Sequence, residues 1–160
     1  MIRNATPEDI PTIAELIRAL AEYEHLSHAV TLDERDLHDH LFGERPYAEV
    51  ILAEDSAVSP TTVVGFALFF HNYSTFLGKP GIYLEDLFVL PDRRGEGHGK
   101  ALLAALARLA VERGCGRLEW SVLDWNQPSI DFYRSLGAVS MDDWTTYRLT
   151  GAGLESLART

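Results

Sequence analysis

The chain has 160 residues, 46% of them hydrophobic, which suits one core-forming domain spanning 1–160. Fourteen Lys and Arg against twenty-four Asp and Glu give a net charge of −10, a balance that argues against nucleic acid as the main partner and favours cationic ones. No apolar run approaches the roughly 20 residues of a membrane span, Met1 to Thr6 carries no apolar signal core, and the lone Cys115 cannot form an internal disulfide; together these predict a soluble cytoplasmic protein.

Thr6-Pro7-Glu8-Asp9 predicts a helix start, with Thr6 as cap and Pro7 at the first helical position. Ile10, Ile13, Ala14, Ile17, Leu20 and Ala21 then recur at helical spacing, so one face of this helix is buried. Thr31 to Glu34 has capping-box spacing and starts a second helix that Gly43 ends. Ala48 to Glu54 and Val63 to Phe70 are β-rich runs joined by the polar link Asp55 to Thr62, which suggests an antiparallel hairpin, and Gly81 to Leu90 makes the next strand. Leu102, Leu103, Leu106, Leu109 and Ala110 form an apolar helical stripe ended by Gly114. Arg117 to Leu123 is a further strand, Asn126-Gln127-Pro128-Ser129 opens a short helix closed by Gly137, and Trp144 to Thr150 reads as a last strand. With an opening strand, the order β, α, α, β, β, β, α, β, α, β indicates a mixed sheet with helices on both faces.

Between the strand ending at Leu90 and the helix from Ala101 lies Arg93-Arg94-Gly95-Glu96-Gly97-His98-Gly99-Lys100. A strand, a glycine-rich turn and a helix start gather backbone N–H groups and the positive end of a helix dipole, which suits a phosphate. A Walker loop fails because Arg94 and Ala101 occupy its required Gly and Ser/Thr positions, and a dinucleotide fingerprint fails because Lys100 stands where its third Gly belongs. What remains is Arg94-x-x-Gly97-x-Gly99, whose alternate glycines permit positive φ and close backbone approach, with Arg94 and Lys100 adding charge-assisted contacts. The bland alternative is a solvated basic helix start. The His residues show no metal-ligand spacing on a helix face; His38 and His40 sit two apart in a polar segment, and no metal is expected.

Leu84-Glu85-Asp86-Leu87-Phe88-Val89, then Arg94-x-x-Gly97-x-Gly99, then Trp125-Asn126-x-Pro128-Ser129-Ile130-x-Phe132-Tyr133-x-x-x-Gly137 resemble the Gcn5-related N-acetyltransferase superfamily. Within it the chain is similar to the spermidine/spermine (diamine) acetyltransferases and their thialysine-acetylating relatives, through Ala21 to Glu24, Val64 to Ala67 and Tyr83 to Asp86. The resemblance implies an α/β fold with a mixed, mostly antiparallel sheet. It implies acetyl transfer from acetyl-coenzyme A to a primary amine, with the pyrophosphate on Arg94, Gly95, Glu96, Gly97, His98, Gly99 and Lys100. Leu87, Phe88 and Val89 would pair with the pantetheine arm, and Asn126, Gln127, Pro128, Ser129 and Tyr133 would add coenzyme contacts.

An ammonium with a pKa of roughly 10.4 must lose a proton before it attacks a thioester, and Glu85, on the strand feeding the loop, is the candidate base, directly or through a water. A strand acid facing solvent is the alternative. Asp86 would point to the opposite face of a regular strand, so the two acids cannot share a pocket without a bulge. The resemblance makes Tyr133 the candidate donor to the departing sulfur, although an aromatic at this helical spacing is by itself more often core packing. For the substrate, the resemblance points to Tyr23 and Glu24 as holders of a distal cationic end, the alternative being an exposed helix-end acid beside a packed Tyr; with Glu85, the residues Glu119 and Trp120 and either Asp142 or Asp143 would complete an acidic groove. The expected acceptor is a small polyamine or diamine, the alternatives being a lysine-like amino acid such as thialysine or a non-catalytic coenzyme A-binding regulatory module. A homodimer is implied by the similar enzymes and by the apolar Trp144 and Leu149.

Overall fold

A computed structural model describes residues 1–57 and 60–160. The described residues divide into two compact units, Met1–Ser121 and Val122–Thr160.

The first unit is built on a five-stranded sheet in the order β1 (Ile2–Asn4), β2 (Glu49–Asp55), β3 (Thr62–Ser74), β4 (Lys79–Val89) and β5 (Leu118–Trp120). The first four strands run antiparallel to their neighbours and β5 lies parallel to β4, so the sheet is mixed and mostly antiparallel. The link joining β2 to β3 includes residues 58 and 59, which lie outside the described residues.

Both faces are covered by helices. Helix α1 (Ile10–Tyr23) sets Ile10, Ile13, Leu16 and Leu20 against Val50, Leu52, Phe66 and Phe88, and α2 (Glu34–Phe42) adds Leu41 to the same cluster. Helix α3 (His98–Glu112) crosses the opposite face and buries Leu102, Leu103, Leu106 and Ala110. Alternation along the strands explains the division, because Val50 and Leu52 point to α1 while Ile51 and Ala53 point away.

Local chemistry sets the helix boundaries. Thr6 starts a short 3-10 turn that runs into α1, with the Asp9 carboxylate accepting the Thr6 N–H at 2.8 Å. The same carboxylate takes a forked pair of hydrogen bonds from Arg3, at 2.7 and 2.9 Å, while Arg3 Nε donates to Glu54 at 2.6 Å. Arg3 thereby ties β1, β2 and the entry to α1 together, and its hydrogen bonds hold the Asp9 carboxyl down at about 2. Helix α2 departs from the sequence expectation: its cap is Asp33, not Thr31, because the Asp33 carboxylate accepts from the N–H groups of both Arg35 and Asp36.

The second unit holds α4 (Gln127–Ser135) and α5 (Gly151–Ala158). Asn126 is buried and caps α4 by accepting the Ser129 N–H at 3.4 Å, and Gly137, at φ 85°, closes that helix. The strand expected over Trp144 to Thr150 is absent; the segment has no helix or strand, and α5 follows it unannounced. High β-propensity does not make a strand without a partner to pair with.

Candidate active site

The strand, loop and helix at 82–112 form as expected. Strand β4 ends at Val89, a short 3-10 turn spans Pro91–Arg93, and α3 starts at His98 with Gly97 as its cap. Gly95 and Gly97 lie in the left-handed region, at φ 81° and 88°, where any L side chain would be strained, and a Cβ at either would meet open space. Gly99 differs from expectation. It lies in the first turn of α3 with no positive φ, so the left-handed pair is Gly95 and Gly97.

The charges of the loop are unequally available. Arg93 is committed to Asp55 and Glu96, and His98 Nε2 lies 3.1 Å from the same Glu96 carboxylate. Lys100 is exposed and makes no ion pair among the described residues. Arg94 folds back: Nε donates to the Val89 carbonyl at 3.0 Å, and the guanidinium carbon lies 4.4 Å from the centre of the Tyr23 ring and 5.4 Å from that of Phe88. The loop is thus fastened to the last turn of α1.

Strand β4 pairs with β3 along its length, yet with β5 only through Ile82, Tyr83 and Leu84, opposite Leu118, Glu119 and Trp120. From Glu85 to Val89 the other edge of β4 has no strand partner among the described residues. Leu87 and Val89 therefore direct main-chain groups to the open edge that leads into the glycine loop, with the Val89 carbonyl taken by Arg94, while Phe88 faces β3 in step with the Leu90 N–H donating to Val64 O at 2.9 Å. An extended amide-bearing arm can add there as a strand would.

The register of β3 and β4 breaks at this point. Leu68 faces Asp86 and Phe69 faces Leu84, so Glu85 is an extra residue with no partner across the pair. The bulge reverses the alternation after Leu84 and places Asp86, opposite Leu68, on the α1 side with Phe88. Glu85 itself is exposed, while Asp86 is half-buried. Burial, reinforced by the charges of Glu85 and then Glu24, raises the Asp86 carboxyl to about 6.

Tyr23 and Glu24 stand where α1 ends. His25 follows at φ 60°, and the turn is closed by the Leu26 N–H donating to Ala21 O at 2.8 Å and the His25 N–H to Glu22 O at 3.1 Å. Glu24 is half-buried, and burial raises its carboxyl. Glu119, on β5, is already engaged, by Arg117 Nε at 2.8 Å and by the Asn72 amide at 3.1 Å; Trp120 next to it is half-buried. In the second unit, Gln127, Pro128 and Ser129 form the first turn of α4, Tyr133 is half-buried further along it, and Asp142 is exposed, accepting from the Ser140 hydroxyl at 3.0 Å. The structure therefore brings Glu24, Glu85 and Asp86 together, with Tyr23 and Arg94 beside them. Sequence alternation missed Asp86; the adjacent acids Glu85-Asp86 inside an otherwise apolar strand were its only signal.

Among the described residues, no group of three or more His, Cys, Asp or Glu side chains is placed to hold a metal ion, and no helix is long and apolar enough to cross a membrane.

An open strand edge running into left-handed glycines at a helix start, with carboxylates at its upstream end, suits a transferase that takes an extended, amide-bearing phosphorylated donor and a cationic acceptor. The chain belongs to the acetyltransferase (GNAT) family, whose model matches residues 11–138. It is 40% identical to the thialysine N-epsilon-acetyltransferase of Bos taurus, over 99% of this chain and 96% of that protein. It is 36% identical to the L-ornithine N5-acetyltransferase NATA1 of Arabidopsis thaliana, over 98% of this chain and 86% of that one. Among solved structures, an integron cassette protein from the mobile metagenome of V. cholerae superposes with a TM-score of 0.80 at 28% identity, covering 100% of this chain and 98% of that one. The protein is thus an N-acetyltransferase with acetyl-coenzyme A as co-substrate, and the open edge and glycine loop are chemically suited to that donor.

Proposed function

We propose that the protein acetylates the terminal amine of a small molecule carrying a second charged centre, with lysine-like and ornithine-like amino acids ahead of polyamines. The observation that carries this is the gathering of Glu85 and Glu24 around the half-buried Asp86 at the upstream end of the open β4 edge, where their charges act on Asp86 and a cationic acceptor would relieve the excess. The two curated relatives support the order of acceptors, since their names refer to side-chain amines of amino acids. Glu85, exposed at the bulge, takes the ammonium proton, directly or through a water, while Tyr23 and Glu24 hold the distal end. Glu119, Trp120 and Asp142 belong to the outer acceptor surface.

On the donor side, the main-chain groups of Leu87 and Val89, on either side of Phe88, hold the pantetheine amides and the loop from Arg94 to Lys100 holds the diphosphate, with Asn126, Gln127, Pro128 and Ser129 adding contacts. Tyr133 protonates the departing sulfur through its phenol hydroxyl. A screen of thialysine, ornithine, lysine, spermidine, spermine and putrescine, read as thiol released, tests the acceptor class; negligible rates on all six would reject it. Tyr133→Phe should abolish turnover and leave acetyl-coenzyme A binding intact, and unchanged turnover removes Tyr133 from the mechanism. We also propose a homodimer, supported by Val139, Trp144, Tyr147 and Leu149, which are exposed and apolar. Sedimentation at micromolar concentration showing a single monomeric species refutes it.

A further inference from the structure

We propose that Asp86 is a second acid–base residue of the acceptor site, the member of the Glu85–Asp86 pair that retains the proton released by the amine and sets the acidic edge of the activity profile. It rests on the acceptor reading given above for Glu85 and Glu24, and it gives a function to a residue that a regular strand would have sent to the other face.

The bulge turns Asp86 toward α1 and seats it half-buried beside two other acids. Its neighbours leave it uncompensated. Glu85 from its own strand and Glu24 from the end of α1 are both negative. Strand β3 places the apolar Leu68 opposite it. The nearby cation, Arg94, is spent on the Val89 carbonyl and the Tyr23 and Phe88 rings, and Glu119 on β5 is already paired with Arg117. Among the described residues no hydrogen bond or ion pair reaches the Asp86 carboxylate. An arriving ammonium supplies the missing charge.

A carboxyl held at about 6 is a stronger base than an ordinary one, yet it is mostly ionised at neutral pH. In the step, an ammonium N–H bond breaks and its proton passes to the carboxylate pair, coming to rest on Asp86. The freed nitrogen lone pair forms the C–N bond to the acetyl carbon, and the C–S bond breaks with its electron pair on sulfur. Nitrogen loses a second proton as the amide forms and sulfur gains one. One proton per turnover is therefore released, from Asp86 to solvent. Two carboxylates this close titrate as a pair, so the profile reports a shared proton biased toward the more buried member.

The test is kcat/KM against pH, with thialysine, ornithine and spermidine as acceptors, for the wild type, Asp86→Asn, Asp86→Glu and Glu85→Gln, alongside calorimetry of acetyl-coenzyme A binding. The wild type should lose activity with a midpoint near pH 6. Asp86→Asn should move that midpoint down by at least about one unit and lower kcat/KM at neutral pH at least about tenfold, with donor affinity within about twofold. Asp86→Glu should restore the acid limb. An Asp86→Asn profile that coincides with the wild type overturns the proposal. Should Glu85→Gln be silent while Asp86→Asn is not, Glu85 loses its role as base and Asp86 keeps its own; the reverse pattern rejects Asp86 alone. Carbon NMR of the Asp86 carboxyl in the wild-type protein gives a measure independent of turnover. A midpoint near 6 that falls when thialysine or spermidine is added agrees with the proposal, and an ordinary carboxylate midpoint overturns it.

Discussion

Asp86→Asn has a second consequence, visible in stability without any substrate. The native fold favours the protonated carboxyl, so between the ordinary 3.8 and about 6 the folded protein binds more protons than the unfolded chain, and stability falls as pH rises through that window. An amide of the same shape cannot ionise and escapes this loss. At 1.36 kcal/mol per pKa unit, the stability of the variant relative to the wild type should rise by about 2 kcal/mol between about pH 4.5 and 7.5, from about 1 to about 3 kcal/mol as a ceiling. Urea unfolding of both proteins, free of coenzyme, at several pH values across that range measures the difference, and titrations shared by the two proteins cancel. A stability difference that does not change with pH would refute the electrostatic account of the bulge. A wild type that gains on the variant as pH rises would reverse its sign.

Gly97→Ala should cost about 1 to 2 kcal/mol of stability, because the left-handed φ and not crowding is the obstacle, and should weaken acetyl-coenzyme A binding in calorimetry. Gly65→Ala should cost about 1 to 3 kcal/mol in thermal unfolding, since its Cβ would come within 2.7 Å of the Phe88 carbonyl, and should also disturb the donor edge of β4. His25→Gly should stabilise the fold by up to about 1 kcal/mol in urea unfolding, by relieving the left-handed residue that closes α1. Arg3→Met should destabilise by about 2 kcal/mol or more at neutral pH, because it leaves Asp9 and the buried Glu54 without their cation. The Asp9 share of that loss should fade as pH falls from the ordinary 3.8 through about 2, where the native Asp9 carboxyl protonates.

Where a signal is local, the chain announces itself. Thr6 and Pro7 at the entry to the first helix, Gly114 and Gly137 at helix ends, and Gly95 and Gly97 in the strand-to-helix loop lie where their side chains, or lack of them, require. Both faces of the sheet were legible from alternating and helical periods. The misplaced features depend on partners distant in sequence. The β-bulge is a property of the pairing between β3 and β4, and nothing in Leu84-Glu85-Asp86 taken by itself decides which residue is skipped. Thr31 and Asp33 both have capping chemistry, and only the path of the chain selects the carboxylate. The Trp144 to Thr150 run is strand-like in composition but has no ladder to join, while the Gly-Ala-Gly start of α5 hides a helix behind poor helix formers. The early departure of β5 from β4, which opens the edge proposed for the donor, likewise has no sequence mark.

That early departure also exposes the protein to a hazard. Bare main-chain donors and acceptors along a strand are an adhesive for any other extended polypeptide, and soluble proteins guard such margins with charge. Glu85 and Asp86 sit at this one, so the acids proposed to attract a cationic acceptor would also repel a stray chain. Neutralising both should leave a protein prone to clumping even where its folding is intact, and colloidal behaviour becomes part of what constrains these two positions.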